Sequence, residues 1–227
     1  MLGLCMEKKV VLKEMEPKKR REYIWEYYKW YIIVGTFFLI FGTYLIIHYT
    51  TKKDIVANVI MVNADVEMAN ETGNELFDSF LEENGYNIKE NEIILNDGLS
   101  FDPNGIGKEN YYTYQSMLTV LEAGGADVYF SDEGAYALIQ NIGLLKDLTE
   151  VLPKDILDKY QNELCYTTDE ETGDTYPSAI ILKDNEWVEQ SKMYRGTCVV
   201  AAAYGAADEE LQQNLMLEIL GENCIDR

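Results

Sequence analysis

The 227-residue sequence predicts one transmembrane helix followed by an α/β domain. Three observations carry this. Residues 31–49, YIIVGTFFLIFGTYLIIHY, hold no Asp, Glu, Lys or Arg. Beyond residue 55, apolar runs rich in β-branched residues alternate with stretches of helical spacing. The charge is divided: residues 1–53 carry ten Lys/Arg and five Asp/Glu, and residues 54–227 carry nine and thirty-five, net charges of +5 and −26.

At about 1.5 Å per residue, nineteen helical residues just span a hydrocarbon core of about 30 Å. Tyr23, Trp25, Tyr27, Tyr28, Trp30 and Tyr31 crowd its entry, and Tyr44 and Tyr49 sit toward its exit. Such rings favour the interface, being apolar at one end and polar at the other. Lys18, Lys19, Arg20, Arg21 and Lys29 precede the span, whereas only Lys52 and Lys53 follow closely. Positive flanks stay in the cytoplasm, so the expected protein is a single-pass cell-membrane protein with its C-terminal domain extracellular. A cleaved signal peptide fits less well, because the apolar stretch is long, begins far from Met1 and is followed by no small-x-small site. Cys5, within Leu2-Gly3-Leu4-Cys5, follows no hydrophobic region and is expected to be a reduced cytoplasmic thiol. The expected organisation is a basic and aromatic juxtamembrane segment at 1–30, the helix at 31–49, a connector at 50–54, the extracytoplasmic domain at 55–222 and a tail at 223–227.

Within the outer domain, Ile55–Val62 (IVANVIMV) reads as a strand buried on both faces. Leu76, Phe77, Phe80 and Leu81 share a helical face, and Asn84-Gly85 stops that helix. Glu92–Leu95 is a second strand, and residues 96–108 are turn-rich. A helix is expected over 109–123, ended by Gly124-Gly125, then a strand over 127–130. Ser131 or Asp132 caps the next helix, running to about Ile142, and Pro153 suits the first turn of another. Residues 165–168 and 175–182 flank a polar Thr-Gly turn and read as a hairpin. A strand over 196–204 and a helix over 208–220, closed by Gly221, complete the domain. Strands alternating with helices point to a sheet with parallel pairing.

Residues 126–152 (ADVYFSDEGAYALIQNIGLLKDLTEVL) resemble the extracellular solute-binding proteins of bacterial transporters, of the type 2 periplasmic-binding class. The likeness extends to Thr172-Gly173-Asp174-Thr175-Tyr176-Pro177 and to 197–220, and loosely covers 55–220. It implies an α/β ectodomain like one lobe of that fold, binding a small molecule or peptide beside a membrane partner such as a transporter permease. Members of the class usually have two lobes, and this chain has room for one.

The chemistry expected is non-enzymatic. The one histidine, His48, lies in the membrane segment, so no Ser/His/Asp arrangement and no Cys/His zinc cluster is available. No glycine-rich phosphate loop occurs. No catalytic residue, cofactor or metal is assigned. Asp97, Asp102 and Asn104 resemble fragments of a calcium loop but lack its ligand spacing, and Asp169, Glu171 and Asp174 could hold calcium at the hairpin; both sets read more simply as solvated turns. Three cysteines lie outside, Cys165, Cys198 and Cys224, so one disulfide within a chain is the most that can form. An outer domain this acidic repels nucleic acid. Ligands of open α/β sheets bind beyond the C-terminal ends of parallel strands. The candidate ligand-binding residues are therefore Asn63, Asp97, Ser131, Asp132 and Glu133, with Tyr129, Tyr136 and Tyr176 as rings that could stack on a sugar or pack. The alternative is a cell-envelope interaction protein with no ligand cleft.

Overall fold

The computed structural model describes residues 16–50, 52–65, 76–102, 104, 108–169, 172–206 and 208–222. The chain divides into two compact units, Met1–Lys52 and Lys53–Arg227.

Among the described residues, the first unit contains one helix, α1 (Pro17–Thr50), of 34 residues. Proline at its first position is pre-set for a helix and has no N–H to leave unpaired. The helix therefore starts fourteen residues before the expected span at 31, and the basic and aromatic segment belongs to the same helix. Tyr23 and Tyr27, one turn apart, stack at 4.6 Å. Thr43 returns its hydroxyl to the Leu39 carbonyl at 2.8 Å, which satisfies a donor inside the apolar stretch. With a mean hydropathy of 2.1 over its most apolar 18 residues, α1 is long and apolar enough to cross a membrane.

The second unit is a mixed six-stranded sheet with helices on both faces. Its elements are β1 (Asp54–Val62), α2 (Asp78–Glu83), β2 (Asn91–Leu99), α3 (Lys108–Glu122), β3 (Val128–Ser131), α4 (Glu133–Ile139), α5 (Leu148–Val151), α6 (Lys154–Lys159), β4 (Leu164–Thr168), β5 (Thr175–Leu182), α7 (Glu186–Ser191), β6 (Cys198–Ala202) and α8 (Glu209–Leu220). The strand order is β2-β1-β3-β6-β5-β4. β1 is parallel to β2 and β3, whereas β6 is antiparallel to β3 and β5, and β4 to β5. The expected parallel pairing is present, and β4–β5 is the expected hairpin.

Crossover handedness explains where the first helices go. The step from β1 to β2 and the step from β2 to β3 move in opposite directions along the sheet. Right-handed connections then put their helices on opposite faces. Phe80 and Leu81 of α2 pack with Val59, Met61 and Phe130 on one face, which α5–α8 also cover. Met117 and Leu121 of α3 pack with Ile60, Val62 and Tyr129 on the other, beside Ala135, Tyr136 and Ile139 of α4. Val59 to Val62 and all of β3 are buried, which is why neither strand alternates in sequence. Each large apolar side chain among them contributes about 1.5–3 kcal/mol on burial. Phe77, Trp187 and Phe130 form a continuous stack at 5.6 and 5.2 Å between centroids, fastening α7 to the sheet.

Several expected elements move. β2 continues through Asn96–Leu99, where a turn-rich loop was expected. It carries one extra residue opposite β1, since Ile60 pairs with Asn96 but Val62 with Leu99. Such a bulge accommodates the polar Asn-Asp-Gly sequence within an edge strand. The helix after β3 ends at Ile139 and not near Ile142. Between it and Pro153 lies the single turn α5, capped by Asp147. Helix α7, capped by Asn185, has no counterpart in the sequence reading.

A close approach of two backbones sets the loop that follows β6. A Cβ on Gly205 would collide with the Gly124 carbonyl, and Gly124 itself has φ +68°. Substituting Gly205→Ala is expected to cost about 1–3 kcal/mol through this overpacking. Urea unfolding of the full-length protein measures it, and wild-type stability in the variant would show that the two loops do not touch.

Candidate functional site

At the C-terminal ends of the parallel strands, polar side chains meet. β1 finishes at Val62, and Asn63 takes a left-handed turn at φ +59°, a conformation asparagine tolerates better than most residues. This turn aims its amide across the sheet end. Asn63 Oδ1 accepts from Phe101 N at 2.8 Å, and Nδ2 donates to Asp132 Oδ2 at 2.7 Å. Asp132 Oδ1 accepts from Ala135 N at 2.7 Å, capping α4. Two side chains thus join the chain after β1, the chain after β2 and the start of α4.

Around this clasp lie three further contacts. Thr197 donates its hydroxyl to Glu133 Oε1 at 2.8 Å. Arg195 meets Asp65 Oδ2 at 3.1 Å, and Tyr194 OH donates to the Val62 carbonyl at 3.0 Å.

Of the five expected site residues, the structure brings Asn63 and Asp132 into direct contact and sets Glu133 beside them on the first turn of α4. Ser131 and Asp97 are placed otherwise. Ser131 is the last residue of β3 and fully buried, so it faces the core and not a ligand. Asp97 lies within β2, short of the strand end, because the strand runs on to Leu99. Asp132, not Ser131, is the α4 cap. Tyr129 and Tyr136 are buried packing residues. Burial pushes the Tyr129 phenol up, an effect the nearby Ser131 hydroxyl partly offsets. Neither of these two hydroxyls is in hydrogen-bonding geometry with a partner among the described residues. Thr197 and Arg195 went unnoticed in the sequence because their segment carries no motif, whereas Asp65 stands at the strand end that the sequence marks.

No group of three or more potential metal ligands occurs among the described residues. Asp102 and Asp169 instead accept backbone N–H groups from Asn104 and Thr172, as turn residues do. Glu171 and Cys224 lie outside the described residues. Cys165 and Cys198 are free, and burial in β6 pushes the Cys198 thiol up to about 12.

At the opposite end of the sheet is a second polar assembly. Asp127, just before β3, is buried, and its Oδ2 accepts from Asn58 N at 2.6 Å. Gln212 of α8 donates to the carbonyls of Asp127 and Ala203, at 2.6 and 2.9 Å. Its Oε1 accepts from Lys146 Nζ at 3.1 Å. Glu209 Oε1 lies 3.4 Å from the same amine. Lys146 forms part of the floor of a groove of about 640 Å³, whose walls include Glu150, Val151, Tyr204 and Glu210. One signal for this assembly was legible: Gln212 sits in phase with Leu215, Met216 and Ile219, a polar residue in a buried register.

Compared with protein-family models, with curated proteins and with solved structures, the chain matches none.

Burial raises the Asp127 carboxyl above its ordinary value, opposed by the Asn58 N–H and by Lys146 and reinforced by Asp208. A raised acid binds its proton more tightly in the folded state. Its contribution therefore favours folding at low pH and is lost as pH rises from the ordinary carboxylate range through the raised value. The stability difference between wild type and Asp127→Asn, which keeps an acceptor for Asn58, is expected to fall across that window. Denaturant unfolding at a series of pH values checks it, and a pH-independent difference would contradict the raised carboxyl.

Proposed function

We propose that α1 crosses the cell membrane once with its N-terminus in the cytoplasm, and that the α/β domain outside binds a small molecule or peptide without transforming it. The observation that carries the binding reading is the convergence of Asn63, Asp132, Glu133 and Thr197, from separate segments, at the C-terminal end of the parallel strands. That is where open α/β sheets present ligand groups. The left-handed Asn63 adds to it, since unusual backbone conformations concentrate at functional sites. The resemblance of 126–152 to type 2 solute-binding proteins agrees with it. Binding without catalysis is supported by the sequence, whose one histidine belongs to α1 and not to the α/β domain. The orientation is supported by the +5 and −26 division of charge. The partner expected beside such a domain is a membrane protein such as a transporter permease.

One observation favours a second reading, an envelope interaction protein without a ligand cleft. Both polar atoms of the Asn63 amide and both oxygens of Asp132 are already used inside the protein.

The two readings separate by thermal shift of the full-length protein in lipid nanodiscs, against sugars, amino acids, dipeptides and divalent cations. A binding domain is stabilised by one of these, and Glu133→Ala reduces that stabilisation. A melting temperature indifferent to all of them favours the interaction protein. For the topology, protease added to intact cells is expected to degrade residues 54–227 and spare the segment before α1; a domain cut only after lysis reverses the orientation.

A further inference from the structure

We propose that the groove floored by Lys146 is a binding site for a basic amino acid, whose carboxylate meets Lys146 and whose cationic groups meet Glu150, Glu209 and Glu210. This rests on the reading that the domain acts by binding, and it assigns a site at the end of the sheet away from Asn63 and Asp132.

The groove's volume of about 640 Å³ falls in the range of about 300–1,000 Å³ typical of small-molecule sites. Its floor is built, not incidental. The Lys146 side chain is 10% exposed, yet it lines the open groove. Gln212 spends both amide N–H bonds on the Asp127 and Ala203 carbonyls, so its oxygen is fixed toward the ammonium. The other partner of Lys146 is Glu209, whose side chain is 86% exposed and whose oxygen stands 3.4 Å away. A pair so long, with its acidic partner so exposed, is worth little. A ligand carboxylate can therefore take the place of Glu209 on Lys146 and leave Glu209 to a ligand cation.

The sign of the walls decides the class. A simple organic anion meets Glu150, Glu209 and Glu210 before it reaches the amine. A simple diamine meets Lys146 at the floor. One carboxylate with two cationic groups satisfies both. Tyr204, 55% exposed, offers a ring face over which an ammonium or its alkyl stem can lie. Its phenol is pushed up by burial and then by the charges of Glu150, Asp147 and Asp169. Val151 supplies an apolar wall for the stem.

The test is calorimetric titration of the full-length protein in nanodiscs with L-lysine, cadaverine and 6-aminohexanoate. Cadaverine lacks the carboxylate and 6-aminohexanoate the α-ammonium. Lysine is expected to bind at least about tenfold more tightly than either, as expected for each lost charge-assisted contact. Tyr204→Ala and Glu150→Gln change exposed side chains and spare the fold; each is expected to weaken lysine binding about fivefold or more. Lys146→Met is expected to abolish the preference for lysine over cadaverine. Absence of lysine binding overturns the proposal, as does lysine binding unchanged in Tyr204→Ala and Glu150→Gln. If lysine binding instead survives those two changes and is lost in Glu133→Ala, the ligand sits at the other end of the sheet. The groove is then refuted, while the proposed function stands.

Discussion

β3 is four residues long and none of its side chains reaches solvent, and the rest of the domain is arranged around that constraint. A strand with helices on both faces can end only where its flanking polar groups find partners inside the protein. An aspartate stands at each end. Asp127 accepts the Asn58 N–H of β1, and Asp132 accepts the Asn63 amide and caps α4. Both therefore tie β3 to β1, one near the middle of β1 and one just past its end. A slip in register would leave two carboxylates buried or half-buried without partners, at a cost of several kcal/mol each.

The two ends differ in chemistry because of what surrounds the aspartates. At the Asp132 end the partners are a neutral amide and one backbone N–H. The carboxylate there is consumed by the fold, and what remains for other molecules is the rim of Glu133, Thr197 and Arg195. At the Asp127 end a buried lysine offsets the charge, and Gln212 holds that lysine in place. The amine opens on a groove whose walls are acidic. An acidic domain concentrates cations near its surface, and this groove adds to that field one point of opposite sign. In the proposed site, discrimination between ligands would depend on where charge is placed along the molecule more than on its total.

Much of the fold was legible because burial leaves a mark on sequence. The continuous apolar run at 55–62 signalled a strand covered on both faces, and Gly221 and the Thr172-Gly173 turn marked ends that the structure keeps. The extension of β2 through Asn96–Leu99 was not legible. Its residues favour turns, and only pairing with β1 holds them extended. Helix α7 was missed because a six-residue helix carries little periodicity, and it is held by the stacking of Trp187 between Phe77 and Phe130. The site divided in the same way. Asn63, Asp132 and Glu133 were singled out from strand ends alone, and the structure sets them side by side. Ser131 was misplaced because a one-residue difference at a strand end decides between core and rim.

By itself, the sequence determined the class of fold, the long apolar helix with basic residues before it, and the division of charge, since each depends on residues near one another in the chain. The tertiary structure alone decided that Asn63 meets Asp132 across 69 residues and that Lys146 meets Gln212 across 66. These contacts join segments that no local preference relates. They exist because a buried strand leaves polar groups that only distant side chains can satisfy.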